Sequence, residues 1–165
     1  MKKLITWFLV LVCILTMSGC QKTYSGVDEL VEKAREELPV AEADTIELQY
    51  AGMCARDDEA LIWFVSGNEY QAHYYLPLSF KIVDRDTYTF EHTHKPVDRG
   101  TDIVVLPEWN NGYAFCVNNP KCTTIKIDDI MGVHEIEVKE YPFVYFNSLL
   151  PREYVFLDKD GNEIN

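Results

Sequence analysis

Basic residues are scarce in this chain. Lysine and arginine together number 15 against 27 aspartates and glutamates, and the formal net charge is −12 at pH 7. Nucleic acids and anionic lipid headgroups repel such a surface unless a cluster of basic residues offsets the charge, and the sequence contains no such cluster. We therefore predict that no nucleic acid is a partner.

Long apolar runs are also scarce. The longest stretch, Leu4 to Met17, has only 14 apolar or near-apolar residues, whereas a transmembrane helix needs roughly 18 or more. Two lysines precede the run, and the small residues Ser18 and Gly19 follow it. This three-part layout predicts a secretory signal rather than a permanent membrane span.

Familiar catalytic motifs are missing as well. The chain contains no Gly-x-Ser-x-Gly, no His-Glu-x-x-His and no phosphate-binding glycine loop. The acidic run from Asp158 to Glu163 is similar in composition to a calcium loop, but its glycine stands fourth rather than sixth, which favours a simple turn. The sequence thus points to no particular enzyme class and favours a non-enzymatic role.

The end of the apolar run carries a more specific pattern, Met17-Ser18-Gly19-Cys20. It resembles the lipobox of bacterial lipoproteins, although family members more often have leucine where this chain has Met17. The resemblance implies that the sulfur of Cys20 receives a diacylglyceryl group and that cleavage makes Cys20 the mature N-terminus, with acyl chains such as palmitate as the anchor. The alternative is an ordinary signal peptide in which Cys20 is incidental.

This resemblance sets the expected organisation and location. Residues 1–19 would be the signal peptide, residues 20–26 the lipidated cysteine with a short tether, and residues 27–165 a single globular β-rich domain. The protein is then expected on the extracytoplasmic face of the cell membrane. The whole chain is similar to small uncharacterised lipoproteins of Gram-positive bacteria, a resemblance that implies no activity.

An amphipathic helix is predicted directly after the tether. Ser25 is placed to cap it, Asp28 follows three residues later as in a capping box, and Pro39 ends it. One side of the helix is apolar at helical spacing, through Val27, Leu30, Val31, Ala34 and Leu38. We expect this stripe to pack against a sheet of the same domain.

Beyond the helix the apolar period changes to two, which indicates strands. Turn and breaker residues, among them Pro77 and the strong turn signal Asn110-Asn111-Gly112, separate about ten short strands. These lie over residues 45–50, 60–65, 70–76, 87–94, 102–106, 113–117, 122–127, 134–138, 141–146 and 153–158. This pattern predicts a mainly β (α+β) fold, either an antiparallel β-sandwich or a barrel-like sheet, with one N-terminal helix.

Three of the five cysteines would remain once Cys13 is removed with the signal and Cys20 is lipidated. The segments 113–117 and 122–127 are predicted to form a hairpin in which Cys116 faces Cys122, with opposite Cα atoms about 4.5 Å apart. Because export permits disulfides, we predict a Cys116–Cys122 bond, the alternative being two reduced thiols near a turn. Cys54 is predicted to be a buried structural thiol on the apolar face of its strand.

Histidines give the one candidate metal site. His92 and His94 share a strand face about 6.6 Å apart, a spacing that zinc sites use, and His73 is a candidate third ligand. The alternative is a pair of ordinary exposed histidines at a strand end. No cofactor other than zinc is indicated.

Three functions remain open at this level. The first is a membrane-anchored, non-enzymatic module that binds a protein or wall component of the cell envelope. The second is a metal-dependent envelope enzyme that uses His92 and His94. The third is an immunity-type protein whose acidic surface neutralises a cationic toxin or peptide.

Overall fold

The strands of this protein form three stacked antiparallel sheets, and one helix covers the outer face of the first sheet. The computed structural model describes residues 21–67, 73–98 and 102–164. The predicted signal segment and Cys20 lie outside these residues. The prediction of a mainly β fold with one N-terminal helix is confirmed.

In chain order, the described elements are β1 (Thr23–Ser25), α1 (Gly26–Glu37), a short 3-10 helix (Ala43–Thr45), β2 (Leu48–Arg56), β3 (Glu59–Ser66), β4 (Tyr74–Asp84), β5 (Thr87–Thr93), β6 (Val97–Asp98), β7 (Ile103–Trp109), β8 (Gly112–Val117), β9 (Thr124–Asp129), β10 (Gly132–Glu137), β11 (Phe143–Asn147) and β12 (Glu153–Leu157). Sheet A has the order β1-β5-β4-β3-β2, with β6 paired to β4. Sheet B has the order β11-β8-β7, and sheet C the order β10-β9-β12.

Three apolar layers hold these elements together. Between α1 and sheet A, Leu30 and Ala34 of the helix pack on a layer that includes Ile62, Phe64 and Leu78. Between sheets A and B the layer includes Trp63, Tyr75, Val104 and Cys116. Between sheets B and C it includes Phe115, Val117, Ile125 and Ile127. Sheet B is therefore buried on both faces.

The predicted hairpin of residues 113–117 and 122–127 is wrong. β8 pairs with β7 and β11 in sheet B, whereas β9 pairs with β10 and β12 in sheet C. Alternate side chains of β8 enter different apolar layers, so both of its faces are buried, and its backbone pairs with a neighbouring strand on each side. The Asn110-Asn111-Gly112 turn supplies one of them, because both asparagines have positive φ and close the β7–β8 hairpin.

Strand β4 contradicts a second expectation, since it continues through Pro77 instead of ending there. The backbone oxygen of Pro77 accepts a bond from the N–H of His94, so the nitrogen of Pro77 points to the same edge of the strand. The regular pairing of β4 with β5 ends at Leu78 and Thr93. Pro77 therefore lies just past the end of this pairing, where the absence of its N–H removes no hydrogen bond between β4 and β5.

The N-terminal helix begins where predicted, but its capping contact differs. Ser25 is the N-cap, and its backbone N–H donates to the carboxylate of Glu29 rather than to that of Asp28. Near the other end of α1, Lys33 is almost buried. Its ammonium contacts the Glu37 carboxylate and lies 4.1 Å from the centroid of the Phe90 ring. Glu37 also accepts a bond from the Thr93 hydroxyl, which ties α1 to β5.

We expect Glu37→Ala to lower the free energy of unfolding by about 2 kcal/mol, because it leaves the Lys33 ammonium with only the longer, 3.4 Å contact to the more exposed Glu36 carboxylate. Burial pushes the pKa of Lys33 down, and the bond and charge of Glu37 outweigh it. Urea unfolding measures the change. The matched control is Glu36→Ala, whose side chain is 56% exposed and should cost under about 0.5 kcal/mol. Equal losses in both variants would contradict this account.

Candidate functional site

The first described residues lead directly into sheet A. Thr23–Ser25 form β1 and pair with β5, and Tyr24 is buried under α1, so residues 23–25 of the predicted tether belong to the fold. Only Gln21 and Lys22 precede β1 among the described residues. No helix in residues 21–67, 73–98 or 102–164 combines the length and the apolar character needed to cross a bilayer.

His92 and His94 lie side by side, with ring centroids 4.6 Å apart. His73 lies elsewhere, just before β4, about 20 Å along that strand from Ser79, which pairs with His92. Within the described parts of the chain, no three His, Cys, Asp or Glu side chains are grouped so that they could hold a metal ion. The structure thus brings together two of the three predicted ligands, and zinc binding stays a prediction.

His94 forms a close contact with a serine. Its Nε2 atom lies 2.8 Å from Oγ of Ser79. Burial, with a smaller contribution from the charge of His92, lowers the pKa of His94 to about 4, so this ring is neutral at pH 7. The distance suits a nucleophile and its base, but Ser79 is only 4% exposed in the middle of a strand. The pair therefore acts as a structural hydrogen bond.

His73 takes part in a polar cluster where sheets A and B meet. Oδ1 of Asp102 lies 2.9 Å from Nδ1 of His73 and accepts a 2.6 Å bond from the Tyr75 hydroxyl. The backbone oxygen of Asp102 also accepts from the N–H of Asn118. Burial and the bond to Asp102 raise the pKa of Tyr75 well above its usual value, so the phenol stays protonated. This cluster joins β4 of sheet A to the start of β7.

The three described cysteines, Cys54, Cys116 and Cys122, are free and buried. The disulfide predicted between Cys116 and Cys122 is therefore not formed. Its premise fails, because Cys116 packs between sheets A and B while Cys122 packs between sheets B and C. Burial raises the pKa of all three thiols, that of Cys54 to about 12, which disfavours the reactive thiolate.

The burial predicted for Cys54 is confirmed, but the predicted face is not. A β-bulge between Tyr50 and Gly52 shifts the register of β2. Leu48 consequently faces α1, whereas Cys54 faces sheet B.

A buried carboxylate organises one end of sheet C. Asp129 is 1% exposed and accepts bonds from the Met131 backbone N–H and from the side-chain amide of Asn147. These two bonds hold the pKa of Asp129 below its ordinary value. The Asn147 amide also donates to the backbone oxygen of Leu149, so the β9–β10 turn and the β11–β12 connection are joined.

Exposed apolar side chains lie on the two segments that this buried carboxylate joins. The four most exposed large apolar residues in the described chain are Met131 at 82%, Ile130 at 74%, Val133 at 60% and Leu150 at 59%. Ile130 and Met131 form the β9–β10 turn, Val133 follows in β10, and Leu150 lies on the connection that Asn147 holds beside the turn. We call these four residues the apical patch. Exposed apolar groups that cluster in this way mark interaction sites more often than scattered ones do.

Acidic side chains border the apical patch on the outer face of sheet C. Opposite residues share a face, so the first row across the sheet is Val133, Asp128 and Glu153. The second row is Glu135, Lys126 and Val155, and the third is Glu137, Thr124 and Leu157. Four of these nine side chains are acidic and one is basic. The face is therefore negative around apolar positions.

An open cleft of about 600 Å³ lies between α1 and the start of β2. Val27, Val31, Leu48 and Tyr50 line it, together with Asp28, Glu32 and Gln49. Its apolar side chains are less exposed than those of the apical patch, with Val27 at 48% and Tyr50 at 37%. The cleft is a second, weaker candidate surface.

Sequence reasoning missed the apical patch. The relevant signal was the segment Asp129-Ile130-Met131-Gly132, in which two large apolar residues occupy turn positions that normally favour polar residues or glycine. Leu150 could not be added from sequence, because tertiary contacts, those of Asn147 and the bond from the N–H of Arg152 to the backbone oxygen of Asp128, bring its loop to the turn.

No family model, curated protein or solved structure matches this chain.

We expect the protein to lose stability as the pH falls from about 6.5 towards 4, partly because of His94. Its lowered pKa means that the unfolded chain binds this proton more tightly than the folded one, so protonation favours unfolding. The contribution is about 2 kcal/mol by pH 4.5. Guanidinium unfolding at pH 7.0, 5.5 and 4.5 gives the slope of the unfolding free energy against pH. This slope should be smaller for His94→Gln than for the wild-type protein, while His92→Gln should keep most of it. An unchanged slope in His94→Gln would rule out this assignment.

We also expect the native protein to resist thiol reagents. Cys54, Cys116 and Cys122 should react at least about a hundredfold more slowly in buffer than in denaturant, because reaction requires local opening. Prior reduction should leave the number of modified thiols in denaturant unchanged. If reduction releases two additional thiols, a disulfide is present after all.

Proposed function

We propose that this protein is a lipid-anchored, extracytoplasmic interaction module rather than an enzyme. The observation that carries the proposal is the apical patch, the four most exposed large apolar side chains among the described residues, of which three lie in or next to the β9–β10 turn and one on the loop held beside it. A buried hydrogen-bonded carboxylate holds their turn in place. A rigid apolar surface of this kind suits the binding of another macromolecule.

The anchor in this proposal is Cys20, within Met17-Ser18-Gly19-Cys20. Only Gln21 and Lys22 separate that cysteine from β1, so the lipid would hold the edge of sheet A within about 10 Å of the bilayer surface. Two or more acyl chains are enough for stable attachment. Anchoring also raises the local concentration of the module for partners at the envelope.

The acidic face of sheet C favours one particular version of this role, an immunity-type protein that neutralises a cationic toxin or peptide. Asp128, Glu135, Glu137 and Glu153 lie on the same face as Val133, next to the apical patch. Charges arranged in this way speed up association with a cationic partner more than they strengthen the final complex.

Replacing the lipidation cysteine tests the anchor. In cell fractionation, we expect the wild-type chain in the membrane fraction, extracted by detergent and not by high salt, with an acylated N-terminal cysteine in the mass spectrum. Cys20→Ser should lose the acyl mass and most of its membrane retention. The matched control is Cys13→Ser, which lies inside the apolar run and should be processed normally. Retention of an unacylated Cys20→Ser chain would refute lipid anchoring.

A further inference from the structure

The apical patch is a protruding apolar surface that is suited to insertion into a cleft of another protein. We infer that Ile130 and Met131 insert into an apolar cleft of a partner protein whose rim carries lysine and arginine, while Asp128 and Glu153 contact that rim. The inference rests on the proposed function and adds the chemical nature of the partner. Three properties of the patch support it: its exposure, its rigidity and its charged border.

Exposure is greatest at the tip of the patch. Met131 and Ile130 are 82% and 74% exposed, and they are adjacent in one tight turn. An apolar pair that projects from a turn leaves most of its surface free to enter a concave site. Methionine is unbranched and adapts to irregular apolar surfaces.

Rigidity comes from the buried groups below the turn. Asp129 accepts a 2.8 Å bond from the backbone N–H of Met131, and Asn147 donates both to Asp129 and to the backbone of Leu149. The N–H of Arg152 donates to the backbone oxygen of Asp128 and fixes the other end of the Leu150 loop. A preorganised patch loses little conformational entropy on binding, which favours affinity.

The charged border selects the kind of partner. Asp128 and Glu153 lie in the same row as Val133, and Glu135 follows in the next row. Arg152 approaches Asp128 only to 3.9 Å and is largely exposed, so it neutralises this border weakly. A cleft with lysine or arginine at its edge complements this arrangement, whereas an acidic edge opposes it.

Two other occupants fit less well. A lipid bilayer is disfavoured because the patch has neither the aromatic residues nor the lysines typical of segments that insert at the interface, and because anionic headgroups repel its border. A second copy of this chain is disfavoured because a symmetric contact through the patch would bring Asp128 and Glu153 of both copies together. A basic protein cleft avoids both problems.

In-cell photocrosslinking of the full chain tests the inference. A photoreactive amino acid replaces Met131 in one strain, Val83 in a second and Tyr50 in a third. Val83 is the matched control, since it is also an exposed apolar residue, at 56%, but lies at the end of β4 in sheet A. We expect a discrete protein adduct from position 131 and none from position 83, with lysine or arginine flanking the crosslinked site of the partner by mass spectrometry.

Two further substitutions in the position-131 strain test the border and the tip. The double variant Asp128→Lys, Glu153→Lys should lower the adduct yield at least about tenfold, because it reverses the charge next to the cleft. Ile130→Asp should lower it by a similar factor. Glu36→Lys, an exposed charge reversal on α1, should leave the yield unchanged. Circular dichroism of each purified variant checks that the fold is intact.

The outcomes separate this inference from the proposed function. A position-131 adduct with lipid, with a second copy of the chain or with an acidic protein overturns the inference. So does a yield that the double charge reversal leaves unchanged. If position 50 in the α1–β2 cleft gives a discrete protein adduct and position 131 does not, the proposed function is supported and the insertion of the apical patch into a partner is wrong. If none of the three positions gives an adduct, both are contradicted.

Discussion

The burial of sheet B on both faces is the constraint on which the rest of the structure depends. In β8, Phe115 and Cys116 are completely buried, yet they point into different apolar layers. Such a strand is stable only if a sheet covers each face, and sheets A and C meet this requirement. The sheets pack closely: a Cβ atom on Gly52 of sheet A would lie 2.8 Å from the side chain of Val144 in sheet B.

Two clusters of polar side chains lie at the ends of these layers, and the carboxylate in each cluster has hydrogen-bond partners that make its burial tolerable. Asp102 joins Tyr75 and His73 at one end of the A–B interface, and the Asp129–Asn147 pair joins the turns at an end of sheet C. An unpaired carboxylate at either place would oppose folding. Because these clusters are satisfied internally, they fix loops rather than offer catalytic groups. The hydrogen bonds of Asp129 therefore fix the turn that carries the exposed residues Ile130 and Met131.

The chemically reactive side chains and the exposed apolar ones lie in different parts of the described fold, and the proposed function rests on the exposed ones. The thiols are buried with raised pKa values, and His94 is neutral and engaged with Ser79. The surface, by contrast, combines strong negative charge with one concentrated apolar end. In the proposed role, charge would steer the encounter with a partner, and desolvation of the apolar end would supply the affinity. These are the properties that an anchored binding module needs.

Sequence alone was sufficient for the features that depend on local chemistry: the mainly β class, the helix capped at Ser25, the Asn110-Asn111-Gly112 turn and the burial of Cys54. Only the tertiary structure decided which strands pair, that β4 passes through Pro77 and that Cys116 and Cys122 lie in different layers. The physical reason is that period and turn residues report on neighbours along the chain. A strand that is apolar on both faces has several possible partners, and packing among distant segments selects one. The apical patch arises in the same way, because the Asp129–Asn147 contact and the Arg152–Asp128 backbone bond hold the loop of Leu150 beside the β9–β10 turn.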